Sequence, residues 1–86
     1  MANYKLIFKQ SVAKDLRSIP KQDVIKILKR IESLTSEPLP TGSEKLSGQQ
    51  RYRIRQGNYR ILYEIEEQLV YITIVKVGHR RDVYRT

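Results

Sequence analysis

The sequence contains no cysteine, so neither a disulfide bond nor a thiolate metal site can support its fold or its chemistry. Its longest apolar run, LVYITIV from Leu69 to Val75, is far too short to span a bilayer as a helix. The N-terminal stretch MANYKLIFKQ lacks the long apolar segment of a secretory signal. A metal-ligand cluster, a pair of catalytic carboxylates and a glycine-rich phosphate loop are also missing, so we expect no cofactor. The length of 86 residues, without a repeat, linker or low-complexity tract, predicts a single domain over residues 1–86, and the lack of cysteine is compatible with a reducing cytoplasm.

Acidic residues are scarce, since nine Asp and Glu stand against 17 Lys and Arg and leave a net charge of +8. Such an excess favours polyanionic partners: nucleic acid, the ribosome, an acidic protein or an anionic membrane surface. A protein surface whose charged residues serve only solubility usually mixes positive and negative side chains without so large an excess of one sign. The charge therefore favours nucleic acid or the ribosome, and it does not identify the nucleic acid.

The N-terminal half predicts one strand and two helices. Alternating apolar residues indicate a strand from Tyr4 to Lys9, and Ser11 is a candidate N-cap for a short helix that Pro20 ends. Apolar residues at helical spacing indicate a second helix, which ends before Pro38. These residues are Val24, Ile27, Leu28, Ile31 and Leu34. The segment from Pro38 to Gln50 is predicted to be a loop.

The stretch RYRIRQGNYRILYEI, from Arg51 to Ile65, predicts a hairpin with two chemically different faces. Gly57-Asn58 is a preferred two-residue turn, and this turn pairs Ile54 with Ile61 on an apolar face. A slip of one residue would move every side chain to the other face. The face opposite the isoleucines carries Arg51, Arg53, Arg55 and Arg60.

A second hairpin, turning over Glu66 to Leu69 with Ile65 opposite Val70, adds Ile72 and Ile74 to the apolar face. The two helices must cover that face, because the chain offers nothing else to cover it. The prediction is an α+β fold of order β-α-α-β-β-β, with both helices packed on one face of a small, mainly antiparallel four-stranded sheet. The arginine face is then left uncovered. Directly opposed arginines repel each other without an anion, which favours a binding surface.

The arginine hairpin, followed by VYITIVKVGHRRDVYR, resembles the RelE family of the RelE/ParE toxin superfamily over nearly the whole chain. Leu46 and Gly48, shortly before the arginine strand, and the early helix from Ala13 to Leu16 fit the same family. The resemblance implies a small cytoplasmic toxin of a type II toxin-antitoxin system. It implies an endoribonuclease that cuts mRNA in the ribosomal A site, and a cognate antitoxin that holds the toxin inactive.

By the same resemblance, the family's basic strand positions match Arg53, Arg55 and Arg60, and its C-terminal arginine and tyrosine match Arg80 and Tyr84. The chemistry agrees. Attack of a 2′-hydroxyl on the adjacent phosphorus needs a base, an acid for the leaving group and cations around a highly charged transition state. The planar fork of arginine suits phosphate oxygens, and a tyrosine suits stacking on a base.

One departure from the family concerns the general base. Familiar members carry lysine where this chain has Arg53 and Arg55, and arginine keeps its proton at any pH a cell meets. His79, the only histidine, is the candidate base, although a lone histidine at a strand end is often a hydrogen-bonded surface residue. Glu64 is expected to be the charge partner of Arg51 rather than a base. Further RNA-binding candidates are Arg51, Lys45 (also typical of a solvated lysine) and Arg81.

Two other functions stay open on the sequence. A ParE-like protein binds and poisons DNA gyrase without cutting RNA, and such relatives generally lack the full set of basic strand residues with the terminal tyrosine. A toxin-derived RNA-binding module, inactive because arginines replace lysines, would bind RNA in a salt-dependent way without cutting it.

Overall fold

The computed structural model describes residues 3–46, 50–79 and 81, and these contain two helices and five strands in one sheet. The elements are β1 (Lys5–Phe8), α1 (Gln10–Arg17), α2 (Lys21–Ser33), β2 (Glu44–Lys45), β3 (Arg51–Gln56), β4 (Tyr59–Glu66) and β5 (Tyr71–His79). The strand order is β1-β5-β4-β3-β2, with β1 parallel to β5 and the other pairs antiparallel. The predicted α+β fold is confirmed with one strand more, because the two residues of β2 are too few to show an alternating pattern.

Both helices lie close to their predicted positions. The prediction that Ser11 caps α1 is wrong, because the helix already begins at Gln10 and has no side-chain capping bond. α2 follows Pro20, as a residue with a fixed φ at the helix start allows. Its apolar stripe faces the protein core, where Ile27 and Ile31 are fully buried.

The pairing of β3 with β4 is the predicted one. Gln56 lies opposite Tyr59, so the turn consists of Gly57 and Asn58 alone. Gly57 has a φ of 60° while the φ of Asn58 is not positive, which is the combination of a type II′ turn. The twist of such a turn matches the right-handed twist of the flanking strands, and the register of the whole hairpin follows from it.

The turn between β4 and β5 lies further along the chain than predicted. Ile65 lies opposite Ile72, whereas the sequence predicted Val70 as its partner. Val70 instead belongs to the turn, where its φ of 56° is a left-handed conformation that β-branched residues rarely adopt. A shift by two residues keeps each side chain on its predicted face, so Ile72 and Ile74 still join the core.

A β-bulge interrupts β5, and the sequence analysis did not predict it. Tyr63 pairs with Ile74, while the preceding residue of β4, Leu62, pairs with Lys76. Val75 is therefore an extra residue without a partner on β4, and it exchanges the faces of the residues that follow it in β5.

The core lies between the helices and one face of the sheet. Its buried members are Val12, Ile27, Ile31, Leu34, Ile54, Ile61, Tyr63, Ile65, Ile72, Ile74 and Val77. Leu62 is also buried, with 4% of its surface exposed, but it belongs to the opposite face together with its direct partners Arg53 and Lys76. Among the described helices, none is long and apolar enough to cross a membrane.

Candidate nucleic-acid interface

Three of the predicted catalytic arginines lie around one pocket. Arg53, Arg55 and Arg60 line a pocket of about 300 Å³, and its other lining residues are Gly42, Glu44 of β2 and Ile54 of β3. Arg55 and Arg60 lie directly opposite each other on neighbouring strands, and Arg53 follows on the same face two residues from Arg55. The hairpin register thus places three guanidinium groups, each a rigid fork of donors, around one space that a phosphate group could enter.

The arginine face is less open than the sequence predicted. Arg60 is buried, with 4% of its surface exposed, and the side chain of Arg53 is 17% exposed, whereas Arg55 is exposed. The prediction that the arginine face is uncovered is therefore wrong for Arg53 and Arg60, at the centre of that face. Burial has a chemical consequence, because a cation that is partly withdrawn from water interacts more strongly with an anion beside it.

Two carboxylates pair with arginines of this face. Glu64 Oε2 accepts hydrogen bonds from Nη2 of Arg51 at 2.8 Å and from its Nε at 3.2 Å. This contact confirms Glu64 as the charge partner of Arg51. Glu44 Oε1 accepts a hydrogen bond from Nη2 of Arg53 at 3.2 Å, and the Glu44 side chain is 61% exposed. The sequence analysis missed Glu44, since its contact depends on β2 pairing with β3.

Because the Glu44 side chain is exposed, water can solvate its carboxylate when it leaves Arg53. An exposed ion pair contributes little to stability, so a phosphate that enters the pocket can replace the carboxylate at small cost. Within the described part of the chain, no three His, Cys, Asp or Glu side chains lie close enough together to hold a metal ion.

His79 lies on the other side of the sheet from the arginines. It is paired with Tyr59, and the two rings meet edge to face with their centroids 6.0 Å apart. Tyr59 packs against the core, and its hydroxyl donates to Oδ2 of Asp23 on α2 at 3.1 Å. Burial, with the hydrogen bond and negative charge of Asp23, raises the pKa of Tyr59 above its ordinary value. His79 thus borders a separate pocket of about 290 Å³, together with Asp23 and Lys26.

Lys45 and Arg81, two further predicted contacts, are not among the residues that line the arginine pocket. Lys45 is exposed and lies opposite Tyr52, a residue that packs against the core, so it lies on the helix side of the sheet. Arg81 is exposed beyond the end of β5. Arg80 and Tyr84 lie outside the described residues.

Sequence reasoning also missed a lysine on the arginine face. Lys76 is half-buried and lies opposite Leu62, because the bulge at Val75 exchanges the faces of β5. A signal for this was present in the sequence. The apolar residues Ile72 and Ile74 are followed by Val77 rather than by an apolar residue at position 76, so the two-residue period slips by one.

Comparisons with known proteins agree with this fold. Residues 6–84 match the family model described as the ParE toxin of the type II toxin-antitoxin system parDE. The chain is 30% identical over 86 residues to the toxin RelG of Mycobacterium tuberculosis, an alignment that covers 95% of this chain and 97% of that protein.

Two solved complexes contain chains of similar structure. The archaeal RelE-RelB complex from Pyrococcus horikoshii matches with a TM-score of 0.81 and 31% identity, covering 91% of this chain and 96% of the matched one. The toxin-antitoxin complex RelBE2 from Mycobacterium tuberculosis matches with a TM-score of 0.80 and 26% identity, covering 91% of this chain and 99% of the matched one.

Proposed function

This chain belongs to the RelE/ParE family of type II toxin-antitoxin toxins, and on that premise we propose that it is an endoribonuclease that cuts mRNA in the ribosomal A site. The observation that carries the proposal is the convergence of Arg53, Arg55 and Arg60 on one pocket. A site that only had to bind another protein would have no need of three guanidinium forks around one pocket.

The proposed reaction is a transesterification within the RNA, without a metal ion. The 2′-oxygen attacks the adjacent phosphorus, the bond from phosphorus to the 5′-oxygen breaks, and the products carry a 2′,3′-cyclic phosphate and a 5′-hydroxyl. Negative charge accumulates on the phosphate oxygens in the transition state, and donors fixed beforehand around those oxygens lower the barrier. Arg53, Arg55 and Arg60 are proposed to hold the scissile phosphate, with Arg80 and Tyr84 as further contacts.

The proposed partners are the ribosome with its mRNA in the cytoplasm, and a cognate antitoxin. Cutting inhibits translation, and the antitoxin holds the toxin inactive. Support for the antitoxin comes from the two solved relatives described above, which are toxin-antitoxin complexes. The charge agrees with it, because an acidic and partly disordered segment would neutralise a chain with a net charge of +8.

The second candidate is a ParE-like protein that inhibits DNA gyrase, and the description of the matching family model favours it. In that case the arginine pocket would be a protein-binding surface and the protein would cut no RNA. A third outcome is an RNA-binding relative without activity, which would bind RNA and leave it intact.

Primer extension on a defined mRNA distinguishes these candidates. The purified protein is incubated with the mRNA alone and with the same mRNA on programmed ribosomes, and gyrase supercoiling is measured on the same preparation. We expect cuts within the A-site codon only when ribosomes are present, and no effect on supercoiling. Intact mRNA together with inhibited supercoiling would contradict the proposal and move the protein to the ParE-like class.

A further inference from the structure

The bulge in β5 brings an amine to a face that otherwise offers guanidinium groups near the pocket. Ile72, Ile74 and Val77 are buried in the core, so the spacing of core residues changes from two to three across Val75. Lys76 then points away from the core, since it is paired with Leu62 rather than with a core residue.

Lys76 is a close neighbour of the buried arginine of the pocket. Arg60 lies opposite Gly78, two residues after Lys76, so Arg60 and Lys76 are diagonal neighbours, a relation in which residues lie roughly 7–8 Å apart. Two long side chains can reach one phosphodiester across that distance. Gly78, directly opposite Arg60, contributes no side chain that would separate them.

No carboxylate of the described chain neutralises Lys76. It borders a cleft beside α1 that also includes Asp15, because β1 pairs with β5 only as far as Ile74 and leaves this part of β5 uncovered on that edge. The ion pairs within residues 3–46, 50–79 and 81 nevertheless join Arg51 to Glu64 and Arg53 to Glu44, and Lys76 takes part in neither. Its ammonium group is therefore available to a ligand.

We propose that Lys76 is a catalytic residue of the cleavage reaction, which donates the proton that the leaving 5′-oxygen needs. The inference rests on the proposed function. Arginine cannot supply this proton, because its guanidinium does not deprotonate in proteins, whereas a lysine ammonium carries three protons and can give one up. His79 does not supply it either, since it lies on the helix side of the sheet.

The step balances without a further reactant. The 2′-hydroxyl releases its proton to a water molecule as the 2′-oxygen bonds to phosphorus. The bond from phosphorus to the 5′-oxygen breaks, its electron pair stays on that oxygen, and the oxygen takes a proton from Nζ of Lys76. Solvent then returns a proton to the neutral amine.

The test compares two substrates on programmed ribosomes under single-turnover conditions. One mRNA carries the ordinary linkage at the cut site, and the other carries sulfur in place of the bridging 5′-oxygen, because a thiolate leaves without being protonated. The variants are Lys76→Met and Lys76→Arg. Lys5→Met is the matched control, since Lys5 pairs with Tyr71 on the same face of the sheet but roughly 17 Å along β5 from Lys76.

Both Lys76 variants are expected to cut the ordinary linkage about 100-fold or more slowly, the range of a lost proton donor. They are expected to cut the sulfur linkage at nearly the rate of the unmodified protein, and Lys5→Met should cut both normally. Full activity of Lys76→Arg on the ordinary linkage would overturn the inference, because a positive charge alone would then suffice. Equal loss on both linkages would overturn it too.

Failure of the proposed function and failure of the inference about Lys76 give different results in this test. If the unmodified protein cuts neither substrate on ribosomes, the endoribonuclease proposal itself is wrong. If the unmodified protein cuts both and the Lys76 variants cut both equally well, only the role of Lys76 is wrong.

Discussion

Arg55 and Arg60 face each other on neighbouring strands, at positions where two like charges destabilise a sheet. A sequence selected only for stability would place an opposite charge at one of them, as Arg51 and Glu64 do at the other end of the same hairpin. The same pair of strands thus contains an arginine opposite a glutamate and an arginine opposite another arginine. The Arg51 charge is balanced by Glu64 within the fold, while Arg55 and Arg60 line the pocket that we propose to bind a phosphate.

A prediction at the residue scale concerns Tyr63, whose hydroxyl donates to the backbone oxygen of Pro38 at 2.7 Å. Burial above all raises the pKa of Tyr63 to about 12 from its ordinary value of 10.0. The fold therefore favours the neutral phenol. The resulting stability is fully present below pH 10 and is lost as the pH rises from 10 towards 12, because the unfolded chain releases the proton first.

Tyr63→Phe should lower the free energy of unfolding at pH 8 by about 1 kcal/mol, the usual contribution of one hydrogen bond. It should also weaken the further loss of stability between pH 10 and 12. Urea unfolding at several pH values measures both effects. Tyr52→Phe is the matched control, since the Tyr52 hydroxyl makes only an exposed contact of 3.4 Å to Gln50. The same pH dependence in both variants would speak against this account of Tyr63.

At the scale of elements, one turn and one bulge decide which charged side chains lie on the face of the sheet that carries the pocket. The type II′ turn at Gly57 fixes the register of β3 against β4 and so places Arg55 opposite Arg60. The bulge at Val75 exchanges the faces of the last part of β5 and so brings Lys76 to the same side. The turn thus sets which arginines face each other, and the bulge sets the face on which Lys76 lies.

Gly57→Ala should destabilise the protein by about 1–2 kcal/mol, because its φ of 60° is costly for a residue with a Cβ atom. The cost is one of conformation alone, since a Cβ atom at Gly57 would meet no other atom within 4 Å. Asn58→Ala is the control in the same turn, because the φ of Asn58 is not positive. Thermal or urea unfolding gives the comparison, and equal losses in the two variants would contradict the assigned turn.

The elements also show how far the sequence predicts this structure. Apolar periodicity and the Gly57-Asn58 turn were enough to predict both helices and the pairing that places Arg53, Arg55 and Arg60 on one face. The pairing of β4 with β5 was not predictable to the residue, because a shift by two leaves the apolar pattern unchanged. Glu44 was missed for a different reason: its contact with Arg53 depends on a strand of two residues.

At the scale of the whole molecule, the fold separates apolar from basic surface. Both helices pack on the face that buries Ile54, Ile61 and Tyr63, which leaves the opposite face to Arg53, Arg55 and Arg60. A net charge of +8 attracts a polyanion from a distance, and salt weakens that attraction. Under the proposed function, the net charge accounts for the encounter with RNA, and the pocket accounts for cutting it.

The most direct test of the proposed role of the arginine pocket is the single-turnover cleavage rate of Arg55→Gln on programmed ribosomes, measured beside Arg17→Gln. Both arginines are exposed and both variants lose one positive charge, but Arg17 lies on α1, away from the pocket. We expect Arg55→Gln to cut about 100-fold or more slowly, as for loss of one donor to a charged transition state. Arg17→Gln should stay within about twofold of the unmodified protein, and both variants should unfold at nearly the same urea concentration. If Arg55→Gln cuts as fast as Arg17→Gln, the arginine pocket is not the catalytic site.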